Sequence, residues 1–151
     1  MTLFSLSIAG TEEINMLLNA YLNFNGQCDA AFKFYQQVLG GKIAFRLTNK
    51  ETPMAEQTPP DRQDKIAHIR LELDGGVLMG SDCPPDYFEK MQGMVLSINV
   101  DTIADGARIF NALAKNGTVK MPYEKTFWAA SFGMLEDQFG TPWMVNCEKD
   151  G

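Results

Sequence analysis

LNFNGQCDAAFKFYQQVLGGKI (22–43) decides the fold, because the same design returns 76 positions later as INVDTIADGARIFNALAKNGTV (98–119). The two stretches overlay without a gap. Asn23 falls on Asn99, Asp29 on Asp105, Ala31 on Ala107, Phe34 on Phe110 and Gly41 on Gly117. Self-similarity at a fixed shift marks a duplicated structural unit. Within each copy a period of two gives way to a helical one. Leu22 and Phe24 alternate with Asn23, as in a strand. Ala31, Phe34, Tyr35 and Val38 then recur at i, i+3, i+4 and i+7, one face of a helix. Gly40-Gly41 supplies the backbone freedom to end that helix. In the second copy Asp101 or Thr102 is the expected N-cap, and Asp105 suits the positive helix start. Ala107, Phe110 and Ala114 form the expected buried stripe, and Asn116-Gly117 ends the helix.

Outward from the repeat, each helix is followed by three strand patterns. The first half has IAFRLTN (43–49), a Pro-rich polar loop over 51–64, then IAHIRLEL (66–73) and GVLMGSD (76–82) joined at Asp74-Gly75-Gly76. The second half has TVKMPYE (118–124), AASFGMLED (129–137) and TPWMVNCE (141–148). The pattern predicts an α+β protein of two tandem βαβββ modules, over roughly 16–82 and 94–148, with CPPDYFEKMQG (83–93) as linker. One helix covers one face of a four-stranded sheet and leaves the other bare. Two such modules can set their bare faces together as a cupped sheet around a cavity, a natural seat for a small ligand.

Composition agrees with one folded domain. The chain has 151 residues, 45% of them hydrophobic and 21% charged, which excludes a disordered chain. Thirteen Lys plus Arg against nineteen Asp plus Glu leave a net charge of −6, which argues against nucleic acid and anionic lipid as partners. No apolar run is long enough to span a membrane. Cys28, Cys83 and Cys147 are odd in number and lack paired spacing, so no disulfide framework is expected. The first residues lack the positive charge that opens a secretory signal, and a cytoplasmic location is expected. Residues 1–15 lie outside the repeat as an amino-terminal extension, within which LFSLSI (3–8) is a candidate edge strand or partner contact.

The paired βαβββ pattern resembles the vicinal oxygen chelate superfamily, whose members include glyoxalase I, bleomycin-resistance proteins, fosfomycin-resistance enzymes and extradiol dioxygenases. Within it, YLNFNGQCDAAFKFYQQVLGG (21–41), IAHIRLELDGGVLMGSD (66–82) and MPYEKTFWAASFGMLEDQFGTPWMVNC (121–147) are similar to the PhnB-like (YjdN-like) branch. Members of that branch often carry a demethylubiquinone methyltransferase-like label. No Gly-rich loop follows a strand here in a Rossmann-like unit, so the chain offers no seat for S-adenosylmethionine. In the metal-dependent relatives one ion is held by side chains from the first and fourth strand of each module. The resemblance carries these positions onto Asn19, Met79, Val95 and Val145. Val cannot coordinate and Met is a soft thioether, so no metal and no other cofactor is expected. The superfamily also implies a homodimer, since its small members commonly pair or swap modules.

The residues themselves offer two sets of candidates. His68, the only histidine, shares a strand face with Arg70 and Glu72. His68 and Arg70, with Asp82 at the rim, suit an acid–base or anion-binding role, although His68 also fits a backbone-bonded histidine and Asp82 a turn. Asn19, Tyr21 and Asn23 on the first strand, with Ser97 in the second module, would orient a ligand in the hollow. Met79, Val95, Trp128, Trp143 and Val145 would supply its apolar wall, or belong to the core. Two functions follow: metal-free binding of a small apolar or aromatic molecule, or an enzyme of the vicinal oxygen chelate type acting on a small oxygen-rich or anionic substrate.

Overall fold

The computed structural model describes residues 14–151. LFSLSI (3–8) and nearly all of the expected extension lie outside the described residues. The first module consists of β1 (Ala20–Phe24), α1 (Cys28–Leu39), β2 (Lys42–Thr48), β3 (Ile66–Leu73) and β4 (Gly76–Asp82). The second consists of β5 (Leu96–Val100), α2 (Ile103–Ala114), β6 (Thr118–Glu124), β7 (Ser131–Glu136) and β8 (Pro142–Cys147). Their sheets have matching orders, β1-β4-β3-β2 and β5-β8-β7-β6. The β1–β4 and β5–β8 pairs are parallel and the others antiparallel. The Pro-rich loop and the linker each hold short 3-10 turns.

Local chemistry accounts for the element ends. Thr102 caps α2, its hydroxyl accepting the Asp105 N–H at 3.1 Å. α1 has no side-chain cap of its own at Gln27. Instead the Asp82 carboxylate, from the end of β4, accepts the first helical N–H at Cys28 at 3.0 Å. Gly40 and Gly41 end α1 with φ of 80° and 85°. A side chain on Gly41 would run into the Glu72 backbone carbonyl, so the turn needs glycine for conformation and for space.

Both helices bury an apolar stripe, but not the same one. α1 buries Cys28, Ala31, Phe32, Tyr35 and Val38, whereas α2 buries Gly106, Ile109, Phe110 and Leu113. Ala107 and Ala114, expected in the second stripe, are only half-buried. The rotation arises because α1 meets the other module as well as its own sheet. Tyr35 makes an edge contact with Trp143 at 5.3 Å between ring centroids, and Phe34 packs on Phe139 at 5.7 Å. One core cluster therefore runs from Leu22 and Phe24 through Tyr35 to Leu135 and Val145. Burying each large side chain of this kind stabilises the fold by about 1.5–3 kcal/mol.

The modules thus meet through their helix-covered sides. The bare faces remain open: Tyr21 is 45% exposed and Phe45 46% exposed, and Ser97 and Asn99 are also exposed. The cup expected between the bare faces is not closed within one chain. Among the described residues no helix is long and apolar enough to cross a membrane.

Candidate functional site

Strand register aligns a row of side chains across the bare face of the first sheet. Tyr21 on β1 pairs with Met79 on β4, Met79 with Arg70 on β3, and Arg70 with Phe45 on β2. His68 lies two residues from Arg70, on the same face, and its ring joins the ends of the row. Its centroid is 5.6 Å from Tyr21, nearly parallel at 24°, and 5.6 Å from Phe45, tilted at 50°. The Tyr21 hydroxyl lies 3.2 Å from His68 Nδ1. Arg70 donates from Nε to Glu72 at 3.0 Å, and its Nη1 rests 3.9 Å from the Met79 sulfur. Aromatic rings, one thioether and one guanidinium thus share a half-exposed surface that can stack on and orient a flat molecule.

The remaining expected residues are distributed as follows. Asn23 is exposed on the same face as Tyr21. Asn19, Tyr21 and Val95 come together with Met91, Met94 and Pro142 around a mainly apolar cavity of about 240 Å³ between the modules. Ser97 and Trp143 instead border a hollow of about 500 Å³ between β5 and the β3–β4 turn, where Asp74 and Asn99 add polar groups. Trp128 is half-exposed and leans on Phe132 at 5.4 Å, on the bare side of the second sheet.

Three expectations need correction. Trp143 does not face the bare side; it is buried against Tyr35, and its indole Nε1 donates to Asp137 at 2.8 Å. Val145 is likewise fully buried in the core. Asp82 is no rim acid. It lies on the helix side of β4, opposite Met79, and accepts backbone N–H groups from Cys28 and from Ile66, the latter at 2.9 Å. A carboxylate spent on two buried backbone donors is structural, so His68 and Arg70 have no partner in Asp82.

The second-module counterpart of Met79 is also different. Met79 pairs with Tyr21, and Met144 with Ser97, so a shift of 76 on the first strand (97 − 21) becomes 65 on the last (144 − 79). The shift shrinks because the second half lacks a loop as long as 51–64, and the implied Val145 lies one residue past Met144, so it falls on the opposite face. Across the second sheet Ser97, Met144, Met134 and Met121 form the corresponding row. The positions implied for a metal thus present an amide, thioethers and Val95. This donor set does not fit a hard or borderline divalent ion. Among the described residues no three His, Cys, Asp or Glu side chains gather for a metal.

Phe45 was not a sequence candidate. A register irregularity between Ile43 and Phe45 breaks the alternation that would have placed it. Cys28 is no nucleophile: burial, with Asp82 and Asp29 nearby, pushes its thiol pKa far above the usual range.

Comparison with known proteins agrees with this architecture. The family model described as 3-demethylubiquinone-9 3-methyltransferase matches residues 17–146. Protein YjdN of Escherichia coli (strain K12) is 35% identical over 142 residues, covering 89% of this chain and 97% of that protein. The crystal structure of PA1353 from Pseudomonas aeruginosa superposes with a TM-score of 0.83 at 47% identity, covering 90% of this chain and all of that one. At the level of fold alone, a glyoxylase/bleomycin resistance protein/dioxygenase domain from Frankia sp. EAN1pec superposes with a TM-score of 0.61 at 15% identity, covering 90% and 99% of the two chains. With the duplicated βαβββ modules and matched strand orders, these likenesses place the chain in the PhnB-like (YjdN-like) family described as 3-demethylubiquinone-9 3-methyltransferase, within the glyoxalase/bleomycin resistance/dioxygenase fold.

Proposed function

We propose that this protein binds a small apolar or aromatic molecule, without a metal, on the open bare face of the first sheet and in the cavity that runs from its edge between the modules. The observation that carries this reading is the row Tyr21–Met79–Arg70–Phe45 with His68 bridging its ends. Rings and a thioether offer stacking and dispersion contacts, and the carboxylates a metal would need are missing from the row. The adjoining cavity of about 240 Å³ has room for a small ring, since an apolar cavity of about 150 Å³ holds benzene.

We also propose a homodimer, in which a second copy covers the open side. The described residues leave Ile14, Met16, Leu17 and Leu18 at least 74% exposed and Phe127 97% exposed. Apolar side chains so concentrated mark contact surfaces. Sedimentation should give twice the 16.8 kDa chain mass, and a monomer at micromolar concentration would remove this part of the reading.

Binding itself is tested by calorimetry with indole and related rings. Tyr21→Ala and Phe45→Ala should each weaken binding several-fold while leaving thermal unfolding within a few degrees of wild type. Unchanged affinity in both variants would refute the assignment to this face.

A further inference from the structure

The same face carries charge as well as rings, and this bears on the chemistry of its occupant. Three strand gaps separate Tyr21 from Phe45 along the row, a width of about 14 Å. Inside that width lie Arg70 and His68. His68 Nδ1 is occupied by the Tyr21 phenol at 3.2 Å, and Nε2 has no hydrogen-bond partner among the described residues. Arg70 uses Nε for Glu72, while Nη1 meets only the soft Met79 sulfur. The Arg70 and Glu72 side chains are 30% and 47% exposed, so this pair is weak and open to competition from another carboxylate. An aromatic cluster without Arg70 would suit an organic cation; with the guanidinium in the row a cation is repelled. The near-parallel Tyr21 and His68 rings favour a flat partner.

We infer that the bare face of the first sheet selects a planar organic anion, a conjugated or aromatic ring bearing a carboxylate. The ring lies on Tyr21, His68 and Phe45, and the carboxylate takes hydrogen bonds from the Arg70 guanidinium. Arg suits this task because its planar fork matches a carboxylate. The inference rests on the binding reading above and goes beyond it in naming the charged group.

The test compares benzoate with its uncharged analogue benzyl alcohol, following the single histidine by NMR and affinity by calorimetry. The expected result is benzoate binding at least tenfold more tightly, with the His68 ring signals shifting on addition. In Arg70→Gln the benzoate-to-alcohol ratio should fall to about one. In Glu72→Gln benzoate should bind more tightly, because its competitor for Arg70 is gone; a purely structural Arg70–Glu72 pair would not produce that gain. Equal affinities in the wild type, or a benzoate preference that survives Arg70→Gln, would overturn the anion assignment and leave the binding reading standing. Failure of both probes to bind would overturn the two together.

Discussion

Replacing Asp82 by Ala strips two backbone donors, Cys28 and Ile66, of their buried acceptor. Each orphaned N–H costs about 1–3 kcal/mol, so urea unfolding should show a loss of roughly 2–6 kcal/mol. Ring binding at the bare face, measured below the lowered midpoint, should be retained. The thiol beside Asp82 offers a second check. With its pKa held high, Cys28 should resist alkylation at pH 8 while folded and react once the protein is unfolded. At this scale the sequence was legible only in part. Alternation puts Tyr21 opposite the helix-facing Leu22 and Phe24 and sets His68 beside Arg70 on one face, while Met79 enters only through the resemblance. The inward turn of Asp82 was legible, since it lies three residues from Met79 on one strand and so on the opposite face; its rim placement overlooked that parity. Trp143 shares its parity with Val145, and the resemblance aims Val145 at the hollow although it is a core residue.

Tyr35 of α1 joins the modules through polar as well as aromatic contacts. Its hydroxyl donates to Asp137 at 2.7 Å and lies 2.7 Å from the Thr141 hydroxyl, while Asp137 also accepts from Phe139 N, Thr141 N and Trp143 Nε1. The D-x-F-G-x-P-W series (137–143) thus forms a turn that docks on the first module's helix. Tyr35→Phe should cost about 1–3 kcal/mol, read as a lower urea midpoint, because Thr141 and Asp137 lose a partner within the core. A weaker tie holds α1 to β2. Asp29 accepts from Arg46 at 2.8 Å and pairs with Lys33 at 3.1 Å. The Arg46 hydrogen bond leads in holding the Asp29 carboxyl below the ordinary carboxylate range. Stability from a lowered carboxyl pKa is present above the unfolded value and lost as the pH falls through the folded one. Asp29→Asn should therefore cost a few tenths of a kcal/mol at pH 7, this being a partly exposed pair. The gap to wild type should close below about pH 4. At the scale of elements the repeat made most of the fold legible, since among the described residues both long helices and all eight strands fall where periodicity put them. The rotation of the α2 stripe was hidden, because it depends on which face of α1 the other module occupies.

At the scale of the whole molecule, duplication yields two sheets with one covered and one bare face each, and the shared helix-side core decides how they sit. That core leaves the bare faces to solvent, open to the ligand and the second copy proposed above. The second sheet's row of Met144, Met134 and Met121 is a deformable apolar surface that a second copy, as proposed above, would contribute. No periodicity announces this arrangement, because the packing of one module on another is set by contacts distant in sequence. The most direct test of the central claim is methyl NMR on methionine-labelled protein after exhaustive EDTA treatment, titrated with indole. The Met79 methyl should shift saturably and to the same extent with and without the chelator. A Met79 signal that never moves, or one that moves only after a divalent ion is restored, would contradict metal-free binding at this face.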